Sequence, residues 1–193
     1  MPRHLLVLCL GLLAAAPLAA DTATAGANAN AKILVHLAAP TQKAACTRAT
    51  ARPACNQTNA TGQLYPTRYF AYALVVDAAA WAGVGAMEFG IDYDGAPHSG
   101  VDVYEWHLCA DAETPSAGWP AAVTGNRIAW DPANPGQCQR WEPGGPGNGV
   151  VAVAGYFYCA AYTPDTLRIT PNPSNQEAAV TDCGGVTDHL FDP

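Results

Sequence analysis

Between residues 86 and 94 the chain reads AMEFGIDYD, and its large apolar residues fall on every second position. Met87, Phe89, Ile91 and Tyr93 face one way and Glu88, Gly90, Asp92 and Asp94 the other, the signature of a half-buried β-strand. Further strand candidates are 32–37, 69–76, 101–108, 126–130, 150–162, 166–170 and 178–181, separated by clusters of Gly, Pro, Asn and Asp. The stretch 77–82 is alanine-rich, but too short for a stable helix and closed by Gly83 and Gly85. About eight short strands with turns this frequent leave no room for βαβ crossovers, so the expected fold is all-β: an antiparallel β-sandwich of immunoglobulin-like or jelly-roll type.

Two strands depart from plain alternation. In 101–108, Val101 and Val103 share one face while Tyr104, Trp106 and Leu108 hold the other, which predicts a β-bulge near Val103 or Tyr104. The stretch 150–162 is the longest candidate and carries Tyr156, Phe157 and Tyr158 after Gly155. It reads as a central strand, with Gly155 marking a bend or a close approach.

The first twenty residues change the picture of the compartment. Arg3 and His4 precede an apolar run from Leu5 to Leu13 and a small-residue stretch, which reads as a secretory signal over 1–20, with cleavage as late as residue 25 after the Ala23, Ala25 pair. Cys9 lies within the apolar core of that leader rather than after it, unlike a lipid-anchor cysteine. No later stretch approaches the ~20 consecutive apolar residues of a membrane span. The expectation is a secreted, extracellular chain, open to cell-surface association, with one domain over 21–193 and an ordered core over 31–185; about 170 residues suit one domain.

Export makes the remaining cysteines, Cys46, Cys55, Cys109, Cys138, Cys159 and Cys183, a disulfide framework by expectation rather than nucleophiles or metal ligands. Cys46 and Cys55 share a loop-like stretch, Cys109 and Cys138 follow successive strands, and Cys159 and Cys183 flank the last ones. The strand map thus favours sequential pairing, 46 with 55, 109 with 138 and 159 with 183, one of several connectivities six cysteines allow.

Charge narrows the partners. The chain carries 9 Lys plus Arg against 16 Asp plus Glu, a net −7, and loss of Arg3 with the leader makes it −8. Nucleic acid and anionic membrane are disfavoured.

A resemblance enters with the order of short motifs: FGIDYD at 89–94, WHLCAD at 106–111, WP at 119–120, GNRIAW at 125–130, CQ at 138–139, AGYFYCAAY at 154–162, ITPN at 169–172 and DC at 182–183. In this series the chain, over roughly 31–185, resembles a group of uncharacterised secreted bacterial proteins. More distantly, a strand ending in Tyr93 and Asp94 after Ala82 to Val84 is similar to cohesins and related carbohydrate-associated sandwich modules. The resemblance implies a sandwich used for binding, and it supplies no catalytic residue.

The candidate chemistry is thin. Asp92, Asp94 and Asp102 around Gly95 suggest an oxygen-ligand site for Ca²⁺, although Pro97 and Val103 stand where an EF-hand needs glycine and glutamate. No other cofactor is indicated. Glu88 with Asp92, or Glu105 beside His107, would be the acids of a carbohydrate-active hydrolase using a carboxylate pair. No serine lies in G-x-S-x-G, and the histidines show no H-E-x-x-H spacing. Aromatics lead instead. Trp119, Trp130 and Trp141 fall in the Pro/Gly-rich segment 111–149 together with Asn126 and Arg127, and exposed tryptophans stack on sugars or anchor protein partners. The expected function is a non-enzymatic binding or surface-assembly module for extracellular carbohydrate or protein, with the hydrolase as alternative.

Overall fold

The alternating pattern folds as two antiparallel sheets packed face to face in a computed structural model. It describes residues 25–131, 134 and 137–190, apart from the side chain of Cys55. The leader lies outside the described residues.

Among the described residues ten strands form: β1 (Lys32–Ala38), β2 (Tyr69–Ala78), β3 (Ala86–Asp92), β4 (Val101–Leu108), β5 (Ala112–Pro115), β6 (Thr124–Ala129), β7 (Val150–Ala161), β8 (Arg168–Thr170), β9 (Ala179–Thr181) and β10 (Thr187–His189). All eight expected strands are present. The two additions, β5 and β10, are short and lack an apolar alternation to announce them; both are held by pairing, β5 on β6 and β10 on β9. The first sheet runs β1-β2-β7-β4. The second runs β10-β9-β3-β6-β5, and β8 and β9 share one edge of β3, opposite its C-terminal and N-terminal halves respectively.

Alternation decides what each sheet buries. Met87, Phe89 and Ile91 of β3, Ile128 of β6, Ala71, Ala73 and Val75 of β2 and Phe157 of β7 meet between the sheets. Removing each such large side chain from water contributes about 1.5–3 kcal/mol. A second apolar cluster sits on the outer face of the four-stranded sheet, where Phe70, Tyr72, Leu74, Val76, Val151 and Val153 are covered by Ala45 and Ala51. The segment 39–60, with one-turn 3-10 helices at Ala49–Ala51 and Cys55–Gln57, folds back over that face. Tyr72 Oη donates to the carbonyl of Ala45 at 3.0 Å, His36 Nε2 meets the carbonyl of Thr50 at 3.0 Å, and Asn59 N donates to His36 Nδ1 at 2.9 Å.

Both irregular strands behave as their sequences imply. The β4–β7 register slips between Val103 and Glu105, so Tyr104 is the extra residue of a bulge. Gly155 lies against Trp106 so closely that a Cβ there would enter the indole ring. Next to it the β2–β7 register shifts between Ala73 and Leu74.

The disulfides correct the sequential pairing. Cys46 bonds Cys109 and Cys138 bonds Cys183, with Cα separations of 5.4 and 5.8 Å, and Cys159 is a buried free thiol. The sequential scheme fails because spatial neighbours in a sandwich come from different sheets and layers. Segment 39–60 crosses the outer face to reach the end of β4, and the segment after Trp130 returns to the end of β9. Cys159 points inward from the central strand, where none of the described cysteine side chains reaches it; the expected partner of Cys46, Cys55, has a side chain outside the described residues.

Candidate functional site

The residues expected to bind ligand do not form one surface. Trp119 packs into the core edge, its ring 5.3 Å from Trp106, 5.6 Å from Phe157 and 5.7 Å from Phe89. Asn126 is fully buried, and its Nδ2 donates to Glu113 Oε2 at 2.8 Å, the oxygen that also accepts from Trp106 Nε1 at 2.8 Å. Arg127 is exposed on β6, on the outer side of the second sheet beside Glu88, Glu177 and His189. Trp130 is buried in the core, whereas Trp141 is 42% exposed, and the two line one pocket.

Two of the three candidate calcium ligands act as loop staples. Asp94 accepts from Ala96 N and Ser99 Oγ, both at 3.1 Å, and Asp102 accepts from His98 N with both oxygens, at 3.1 and 3.3 Å. Asp92 stands opposite Arg168 in the β3–β8 pairing. Among the described residues no group of three or more His, Cys, Asp or Glu converges on a metal position.

Of the acids raised for hydrolysis, Glu88 is drawn toward Glu177 rather than Asp92. Asn175 Nδ2 donates to Glu88 Oε1 at 2.8 Å and to Glu177 Oε2 at 3.3 Å, and Asn172 Nδ2 adds a bond to Glu88 at 2.9 Å. Glu105 meets His107 Nε2 at 2.9 Å on an exposed strand surface.

What the strands do assemble is an aromatic surface on the outer face of the four-stranded sheet, at its β7–β4 edge. Tyr156 and Tyr158 alternate with inward Phe157, so β7 sends two rings outward. The bulge at Tyr104 puts that ring on the same side as Glu105 and His107, 5.4 Å from Tyr158. His107 stacks on Tyr156 at 4.9 Å. The track continues past the sheet end: Tyr104 Oη lies 3.2 Å from Tyr162 Oη, and Tyr162 stacks on Tyr65 at 4.7 Å with ring planes 12° apart. Tyr65 is held there because its N–H donates to the carbonyl of Ala161 at 2.7 Å.

Arg68 completes the face. Its Nη1 donates to Tyr158 Oη at 2.8 Å, and its guanidinium lies 5.7 Å from the Tyr104 ring and 5.8 Å from that of Tyr158. Burial and the shared contact with Tyr162 push the Tyr104 hydroxyl above the usual phenol range, so it stays protonated at any physiological pH. Tyr65 is 47% and Tyr104 39% exposed, enough to offer ring surface to a ligand. The surface carries polar groups along its length: Arg68, Glu105, His107 and five phenols.

The face was missed because its members come from three separate segments. One signal was present: a central strand that sends aromatics to both faces has more ring surface than one core can bury.

No protein-family model matches the chain, and no curated protein does. Among solved structures it is similar to a cohesin module from Clostridium perfringens ATCC13124 family 33 glycoside hydrolase. The TM-score is 0.42 at 10% identity, over 82% of this chain and 91% of that one. The antiparallel β-sandwich expected from the sequence is present in the two packed sheets. Among the described residues no helix is long and apolar enough to cross a membrane.

Proposed function

We propose that this chain is a non-enzymatic extracellular binding module that takes a glycan chain across the tyrosine face. The observation carrying this reading is the continuous run of partly exposed rings, Tyr65, Tyr162, Tyr104, Tyr158 and Tyr156, ending at His107. The apolar C–H face of a sugar stacks on such rings, while phenol, imidazole and guanidinium groups at their margins give hydrogen-bonding direction. Strand-borne rings lose little freedom on binding, which favours affinity. Two disulfides suit an oxidising compartment.

A glycan array probed with the oxidised chain, followed by calorimetry on its hits, tests the reading. Tyr104→Ala and Tyr65→Ala should each weaken binding by more than about 1 kcal/mol, as loss of an aromatic anchor does. Trp81→Ala, at a side chain 76% exposed elsewhere, should leave it unchanged. Binding indifferent to both tyrosines would refute the assignment.

A further inference from the structure

A pocket of about 420 Å³ lies beside the covered part of the same sheet, lined by Arg52, Gln137, Gln139, Arg140 and Trp141 with Trp130 behind them. Its volume is within the roughly 300–1,000 Å³ of small-molecule sites. Both disulfides border it, through Cys109 and Cys138, so its walls are covalently tied to opposite layers of the fold. Among the described residues its lining includes two cations and no acid, in a chain where acids outnumber Lys plus Arg by 16 to 9.

Arg52 is the unusual member. Its guanidinium lies 5.7 Å from the centre of the Trp141 ring, and its Nε is buried with no hydrogen-bond partner. Among the described residues it joins no ion pair. A partly desolvated cation without a counter-charge carries an unrecovered cost that an incoming anion would offset. Arg140 differs, since it is fixed by its bonds to Cys138 Sγ and to the carbonyls of Ala80 and Trp81, and so contributes a fixed positive charge.

Trp141 supplies exposed ring surface next to that charge, and the amides of Gln137 and Gln139 add neutral hydrogen-bonding groups. Gln139 is further fixed because its backbone pairs with Val84 in both directions. A planar cation, an indole and two amides around one pocket match a ring that bears hydroxyls and a carboxylate. We infer that this pocket recognises a carboxylate-bearing sugar unit, Arg52 receiving the carboxylate and the exposed part of Trp141 the ring. The inference stands independently of the tyrosine face.

Calorimetry or NMR titration of the oxidised chain with glucuronate, galacturonate, glucose and inorganic sulfate tests it. A uronate should bind at least about tenfold tighter than glucose, and raised salt should weaken it as screening predicts. Arg52→Gln should abolish that preference and Trp141→Ala should weaken uronate binding about tenfold, with thermal unfolding showing that each variant folds. Uronate binding no stronger than glucose, sulfate binding as well as the uronates, or Arg52→Gln leaving uronate affinity intact would each overturn the inference. The tyrosine-face variants should not affect this titration.

Discussion

Replacing Cys46 and Cys109 together by alanine should cost about 4 kcal/mol of stability, because their bridge spans a sequence separation of 63 and restricts the unfolded chain in proportion to the logarithm of the loop it closes. A bridge between Cys46 and Cys55 would close only about ten residues and contribute under about 3 kcal/mol by the same relation. For a domain of this size the loss should lower Tm by about 8–16 °C. The local effect should be larger than the global one. Segment 39–60 rests on the outer face through Ala45, Ala51 and hydrogen bonds to His36 and Tyr72, so without the bridge its amides should exchange faster than those of β2 and β7. Urea unfolding with hydrogen-exchange mass spectrometry checks both, and the m-value should rise as the denatured chain expands. A loss below about 1 kcal/mol with unchanged exchange in 39–60 would refute the reasoning.

Other predictions follow from burial. Cys159, whose thiol is pushed up to about 12 by burial, should resist alkylation in the native protein and react once denatured without reductant; recovery of Cys159 in a disulfide would contradict this. His36 is held below the ordinary imidazole range by burial, which its bond to the Thr50 carbonyl only partly offsets. Its NMR titration midpoint should therefore lie below about 6.5, and its contribution to stability should be complete above that pH and shrink as pH falls, because the unfolded state binds the proton more readily. A midpoint at or above that value would count against it. Trp130→Ala should cost about 3–5 kcal/mol while Trp141→Ala costs under about 1 kcal/mol in chemical denaturation, since only the first ring is buried in the core. Equal losses would mean that Trp141 also anchors the fold.

The strands were legible because alternation is a local property: Met87, Phe89 and Ile91 announce the buried side of β3 without reference to anything distant. The bulge at Tyr104 and the close approach at Gly155 were legible for the same reason, as breaks in a local pattern. Cysteine pairing was not, because it depends on which loops cross which sheet, and nothing near Cys46 says that its segment folds back onto β2. The binding surface was misread in the same way. Trp119 and Asn126 lie near one another in sequence and face the interior, whereas Tyr65, Tyr104, Tyr158 and Tyr162 meet only after three segments have been brought to one edge. Trp141, with its partner Arg52 almost ninety residues earlier, shows that even a correctly exposed tryptophan does not reveal its neighbours.

The claim that a glycan lies along the tyrosine face is tested most directly by hydroxyl-radical footprinting with the strongest array hit bound. Oxidation of Tyr65, Tyr104, Tyr158 and Tyr162 should fall together on binding while Trp81 keeps its free-state reactivity. Unchanged oxidation of those four tyrosines in the presence of a saturating glycan would contradict the account.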